Sequence, residues 1–146
     1  MITLPSGSMK RADLRRVWLL AWQKERERLA MTPLETMLAD VLRLHPEYLE
    51  LLEDPDALAR DWTPEGGQVN PFMHMGLHVA LREGVAADRP AGLRELYRHM
   101  HRSRDPHAVD HALMDCLAET LWEAERAGLP PDEAMFLARA QRVAGC

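Results

Sequence analysis

Apolar side chains recur every three or four residues along most of the chain, and no stretch shows the alternation of a half-buried strand. A first helix is predicted over Ala12 to Leu29, with Leu14, Val17, Trp18, Ala21, Trp22 and Leu29 at helical spacing. Its second half, Gln23 to Arg28, is charged and expected to be wet. Thr32-Pro33-Leu34-Glu35 is a capping box with proline in the first turn, so a second helix runs to about Leu44. His45-Pro46-Glu47-Tyr48 opens a short helix through Leu52, with His45 near its cap. Asp54 to Val69 holds Pro55, Pro64, Gly66 and Gly67 and reads as an irregular excursion, with Trp62 expected to pin it to the body.

Asn70 as cap and Pro71 in the first helical position start a central helix that reaches about Ala87. Phe72, Met73, Met75, Leu77, Val79, Ala80 and Leu81 make it apolar on all sides for three turns, the mark of a helix in the middle of its domain. Asp88 to Gly92 turns the chain into a helix over about Pro90 to Arg102. Asp105-Pro106 then starts a long helix that Gly128 ends, with a stripe of Leu113, Met114, Leu117, Ala118, Leu121 and Trp122. Pro130-Pro131-Asp132 begins a last helix carrying Met135, Phe136, Leu137 and Ala140, and it stops before Gly145. The expectation is an all-α fold, a single compact bundle of five or six helices. Residues 1–9 read as a flexible leader and 10–146 as one helical domain.

Composition narrows the function classes. The 146 residues carry a formal net charge of -5, which argues against nucleic acid or an anionic membrane as partner. The one local basic run, Arg94 to Arg104, reads as the solvated side of a helix. Val17 to Trp22, the longest purely apolar run, is too short to span a bilayer or to form a signal-peptide core. Cys116 and Cys146 make no disulfide framework, and a reducing cytoplasm is the expected setting.

The candidate chemistry lies in histidines. His74 and His78 fall one turn apart in the central helix, and His107 and His111 repeat that spacing in the long one. Imidazoles so placed can converge on one metal ion, and buried ones need partners in any event. Two pairs on neighbouring helices would supply enough ligands for Zn, or for Fe if carboxylates joined. Asp115 and Glu119 continue the spacing after His111, as ligands or as acceptors that fix a ring tautomer. His45 and Glu47 are further candidates. The alternative is that these histidines are core residues satisfied by a carboxylate or a carbonyl, with His107 exposed at a helix start and His111–Asp115 an ordinary same-helix pair.

Several absences limit the reading. No Glu-x-x-His signature of di-iron bundles and no His-Glu-x-x-His protease pattern occurs, and the glycines form no phosphate loop. Ser6, Ser8 and Ser103 are the only serines, and Cys116 does not face His111 on its helix, so nucleophilic catalysis has no support. Trp18, Trp22 and Trp122 exceed what one small core needs, which makes a homodimer surface a candidate.

His45-Pro-Glu-Tyr48, Pro64-Glu65-x-Gly67-x-x-Asn70-Pro-Phe-x-His74-Met-x-x-His78, Asp88-x-Pro90-x-Gly92 and His107-x-x-x-His111-x-x-Met114-x-Cys116-Leu-x-Glu119-x-x-Trp122 together resemble a small bacterial family catalogued as domain of unknown function number 1841. The resemblance covers nearly the whole chain, from about the first helix to Ala140, and implies no activity. It aligns His45, His74, His78, His107, His111 and Glu119 with the family pattern. Leu49 stands where the resemblance implies a histidine, and Gly84 where it implies glutamine. Two functions follow as expectations: a metal-binding bundle capable of hydrolytic or oxygen chemistry on an unidentified small molecule, or a non-enzymatic protein-interaction and dimerisation module.

Overall fold

A computed structural model describes residues 11–54 and 71–145, with the side chains of 11–14 outside the description. All the described elements are helical: α1 (Arg11–Glu27), α2 (Pro33–Arg43), a 3-10 turn (Pro46–Tyr48), α3 (Leu49–Glu53), α4 (Pro71–Ala87), α5 (Leu93–His101), α6 (Pro106–Ala127) and α7 (Glu133–Ala144). The fold is therefore all-α, as the periodicity requires, but the α-helices among the described residues number seven rather than five or six. The excess comes from short pieces. Pro46 directs the chain into a 3-10 turn, and α3 follows it for only five residues, too short to carry a helical repeat of its own. The leader, the excursion with Trp62 and the Asn70 cap lie outside the described residues.

The described residues group into two compact units, an N-terminal one through Val79 and a C-terminal one from Ala80, and the boundary passes through α4. In the N-terminal unit the capping box is formed as expected. Thr32 Oγ1 accepts from Glu35 N at 3.1 Å and Glu35 Oε1 accepts from Thr32 N at 2.9 Å. Leu38, Ala39, Val41 and Leu42 on α2 are buried, with Trp18 and Ala21 of α1 and Leu52 of α3. The charged half of α1 is held by ion pairs to its neighbours: Lys24 to Glu35 (2.6 Å), Glu25 to Arg43, and Arg26 to Glu53 (3.4 Å). Lys24, together with the Thr32 N–H, holds the Glu35 carboxyl below its ordinary pKa. Arg15 is buried with its guanidinium 4.7 Å from the Phe72 ring centre, fastening α1 to the first turn of α4. The all-apolar reading of that helix fails at Met73, which is 64% exposed.

In the C-terminal unit α6 and α7 form an antiparallel hairpin closed by Gly128 at φ 66°, a left-handed position that glycine fills without strain. Asp105 and Asp132 cap α6 and α7, accepting from Ala108 N (3.0 Å) and Met135 N (3.1 Å). Arg139 joins the two helices, donating to Thr120 Oγ1 at 3.0 Å and Glu123 at 2.6 Å. The basic run is only partly a wet face: Arg98, His99 and Arg102 are exposed, while Arg94 donates to the last carbonyls of α4 and Arg104 to those of α7. Trp122 does not join the buried stripe of α6. It is 56% exposed, with the Arg126 guanidinium 4.6 Å above its ring. Cys116 is a core cysteine, and burial raises its thiol pKa. No described helix is long and apolar enough to cross a membrane.

Candidate metal centre

The N-terminal unit concentrates aromatic nitrogen around His45. α2 ends at Arg43, and the chain folds back so that His45 reaches a carbonyl of that last turn. Its Nδ1 lies 2.8 Å from Val41 O. A carbonyl only accepts, so Nδ1 carries the hydrogen, and in the neutral ring Nε2 is left as a lone pair. That lone pair faces another imidazole: His74 Nε2 is 3.1 Å away. His45 is 2% exposed and His74 is half-buried.

Two more rings complete the cluster within this unit. Tyr48 lies three residues after His45 across the 3-10 turn, where side chains at that spacing eclipse one another, and its ring stacks on His45 at 5.3 Å and 7°. Burial, and then the Glu47 carboxylate, raises the Tyr48 phenol, so it stays protonated at neutral pH. His78, one turn beyond His74, is fully buried with its ring edge-on to His45 at 5.3 Å. His74 stands edge-on to His45 at 4.9 Å and to Tyr48 at 6.2 Å. A ring nitrogen of His45 and one of His74 lie close enough together to serve as ligands of a single ion.

The C-terminal unit holds the second pair. His107 is exposed and His111 half-exposed on α6, their ring centres 4.0 Å apart. Asp115 and Glu119 are also exposed, and Glu119 lies 3.7 Å from Arg139 Nη2. Glu47, the remaining sequence candidate, is exposed on the 3-10 turn.

The sequence offers His45 only as a further candidate, whereas in the structure its ring is buried and held by Val41 O, Tyr48 and His74. The signal was available in its place just past the end of α2, where an imidazole can donate to a carbonyl of the last turn. Asp110, buried one residue before His111, was also passed over. Tyr97 Oη donates to Asp110 Oδ1 at 2.7 Å, and the His101 and Arg82 nitrogens stand 3.6 and 3.7 Å from its oxygens. His101 Nδ1 lies 2.7 Å from Tyr97 O, so that nitrogen donates. Arg82 Nε is buried without a hydrogen-bond partner. Burial and the neighbouring carboxylate raise the Tyr97 phenol strongly. An aspartate within the apolar spacing of Val109, Leu113 and Leu117 was the available hint, since a buried carboxylate must find donors.

No curated protein and no solved structure matches the chain. One family model does, Domain of unknown function (DUF1841), over residues 10–142, and the chain belongs to that family.

Proposed function

We propose that this is a metal-binding helical protein in which His45 and His74 hold a divalent ion such as Zn or Fe. The observation that carries the reading is the fixed tautomer of His45. A backbone carbonyl on Nδ1 and a lone pair on Nε2 is the usual arrangement of a metal-bound histidine, and here it is set by Val41 O. The two Nε2 atoms, 3.1 Å apart, have the spacing of neighbouring ligands on one ion: at about 2.1 Å from each, the ion would see them at about 95°. The remaining positions go to water. An ion that keeps a bound water lowers its pKa and supports hydration or hydrolysis, and iron in that place would bring oxygen chemistry.

Metal analysis of the untagged protein tests the proposal. Near-stoichiometric Zn or Fe is expected, and His45→Ala and His74→Ala should each empty the site. His107→Ala and His111→Ala then tell whether the second pair supplies ligands. Trace metal in the parent protein, with a melting temperature that a chelator leaves unchanged, overturns the reading.

A further inference from the structure

Tyr48 stands beside both proposed ligands without being one. His45-Pro46-Glu47-Tyr48 folds as a 3-10 turn, in which Pro46 fixes its own φ and side chains three residues apart eclipse one another. The turn acts as a brace that lays the Tyr48 ring on the face of His45, parallel within 7° and with centres 5.3 Å apart. The same phenol ring stands edge-on to His74 at 6.2 Å. One side chain thus contacts both imidazoles whose Nε2 atoms lie 3.1 Å apart.

The bond to Val41 O alone aims His45 loosely. It holds one atom, Nδ1, and such a bond tolerates roughly 30° of misalignment. Rotation about Cβ–Cγ carries Nε2 with it, so the lone pair swings as the ring turns. A flat ring packed on the face of His45 opposes that rotation, because turning drives the edge of one ring into the other. The Tyr48 hydroxyl has no hydrogen-bond partner among the described residues, so the aromatic face is the part that acts. We propose that Tyr48 is a positioning residue of the metal centre, whose ring sets the direction of the His45 lone pair and with it the affinity for the ion. The inference rests on the metal proposal and adds to it the residue that governs how tightly the ion is held.

Titration of the full-length untagged protein with Co(II), whose visible bands report the geometry of its ligands, tests it. Tyr48→Phe is expected to bind the ion as tightly as the parent, with the same bands. Tyr48→Leu is expected to bind about tenfold more weakly, the usual cost of losing a residue that supports a metal ligand, with shifted bands on the ion it still holds. Tyr48→Met, which also lacks a flat face, takes its place if that variant does not fold. A lowered melting temperature in Tyr48→Leu with unchanged bands would make Tyr48 a packing residue only and overturns the inference. Undiminished affinity in Tyr48→Leu, or a Tyr48→Phe variant as weak as Tyr48→Leu, also overturns it and leaves the metal proposal standing. A parent protein that binds no Co(II) overturns both.

Discussion

Two histidine pairs with the same spacing occupy opposite environments. On α4, His78 is fully buried and His74 half-buried, against a His45 that is itself 2% exposed. On α6, His107 is exposed and His111 half-exposed. In the N-terminal unit the His45 and His78 imidazoles are buried along with Arg15, and the His45 ring is fixed by its surroundings: Val41 O on its Nδ1, Tyr48 stacked across it, His74 edge-on. In the C-terminal unit the buried charged group among the described residues is Asp110, one residue before His111, with Tyr97, His101 and Arg82 around it. Spacing sets which side chains share a face; burial sets what leaving them unpartnered costs.

The largest expected effect therefore falls on Asp110. Asp110→Ala strips the acceptor from the Tyr97 hydroxyl and the counter-charge from Arg82, and it should cost about 3–5 kcal/mol in urea denaturation. A loss below about 1 kcal/mol would mean that the carboxylate does not organise this unit. His45→Ala comes next. It removes a buried ring and one of the two hydrogen bonds to Val41 O, at about 2–4 kcal/mol, and under the metal proposal it also empties the site. Retained stability in this variant would put His45 among the solvated histidines and end the contrast between the units.

These elements were unequally legible in the amino-acid order. Thr32-Pro33-x-Glu35, Asp105-Pro106 and Gly128 act within a few residues of themselves, and the caps they encode are formed. The central helix and α6 were delimited in the same way, at Pro71–Ala87 and Pro106–Ala127. Contacts that depend on how one element lies on another were not legible. Nothing near Tyr97 marks it as the donor to Asp110, thirteen residues away, and nothing near His45 names His74, twenty-nine residues away. Met73 and Trp122 show the same limit from the other side: each fits an apolar helical stripe by spacing, and each is exposed.

Tyr97→Phe sharpens the account of the C-terminal unit at smaller cost. It deletes one hydrogen bond to a buried carboxylate, worth about 1.5–3 kcal/mol. The pH dependence carries a definite sign. The folded-state phenol is raised above its unfolded value of about 10, so its stabilisation is complete below that pH and is lost as pH rises above it toward the folded value. Denaturation at pH 8 and at pH 10.5 should show the parent protein losing stability that the Phe variant never had. Parallel losses in both proteins would assign the alkaline response to other groups.

The smallest effect is expected at His107, and that is why it is informative. The residue is exposed at the second position of α6, and its contact with His111 is a same-helix ring pair worth a few tenths of a kcal/mol. His107→Ala should therefore change unfolding free energy by less than about 0.5 kcal/mol. A variant that leaves the fold untouched separates ligand loss from unfolding, which His45→Ala by itself does not do. Metal content that falls while stability holds would assign a ligand to the C-terminal pair. Metal content that holds as well would confine the ion to the rings of the N-terminal unit, and the equal spacing of the two pairs would then carry no shared chemistry.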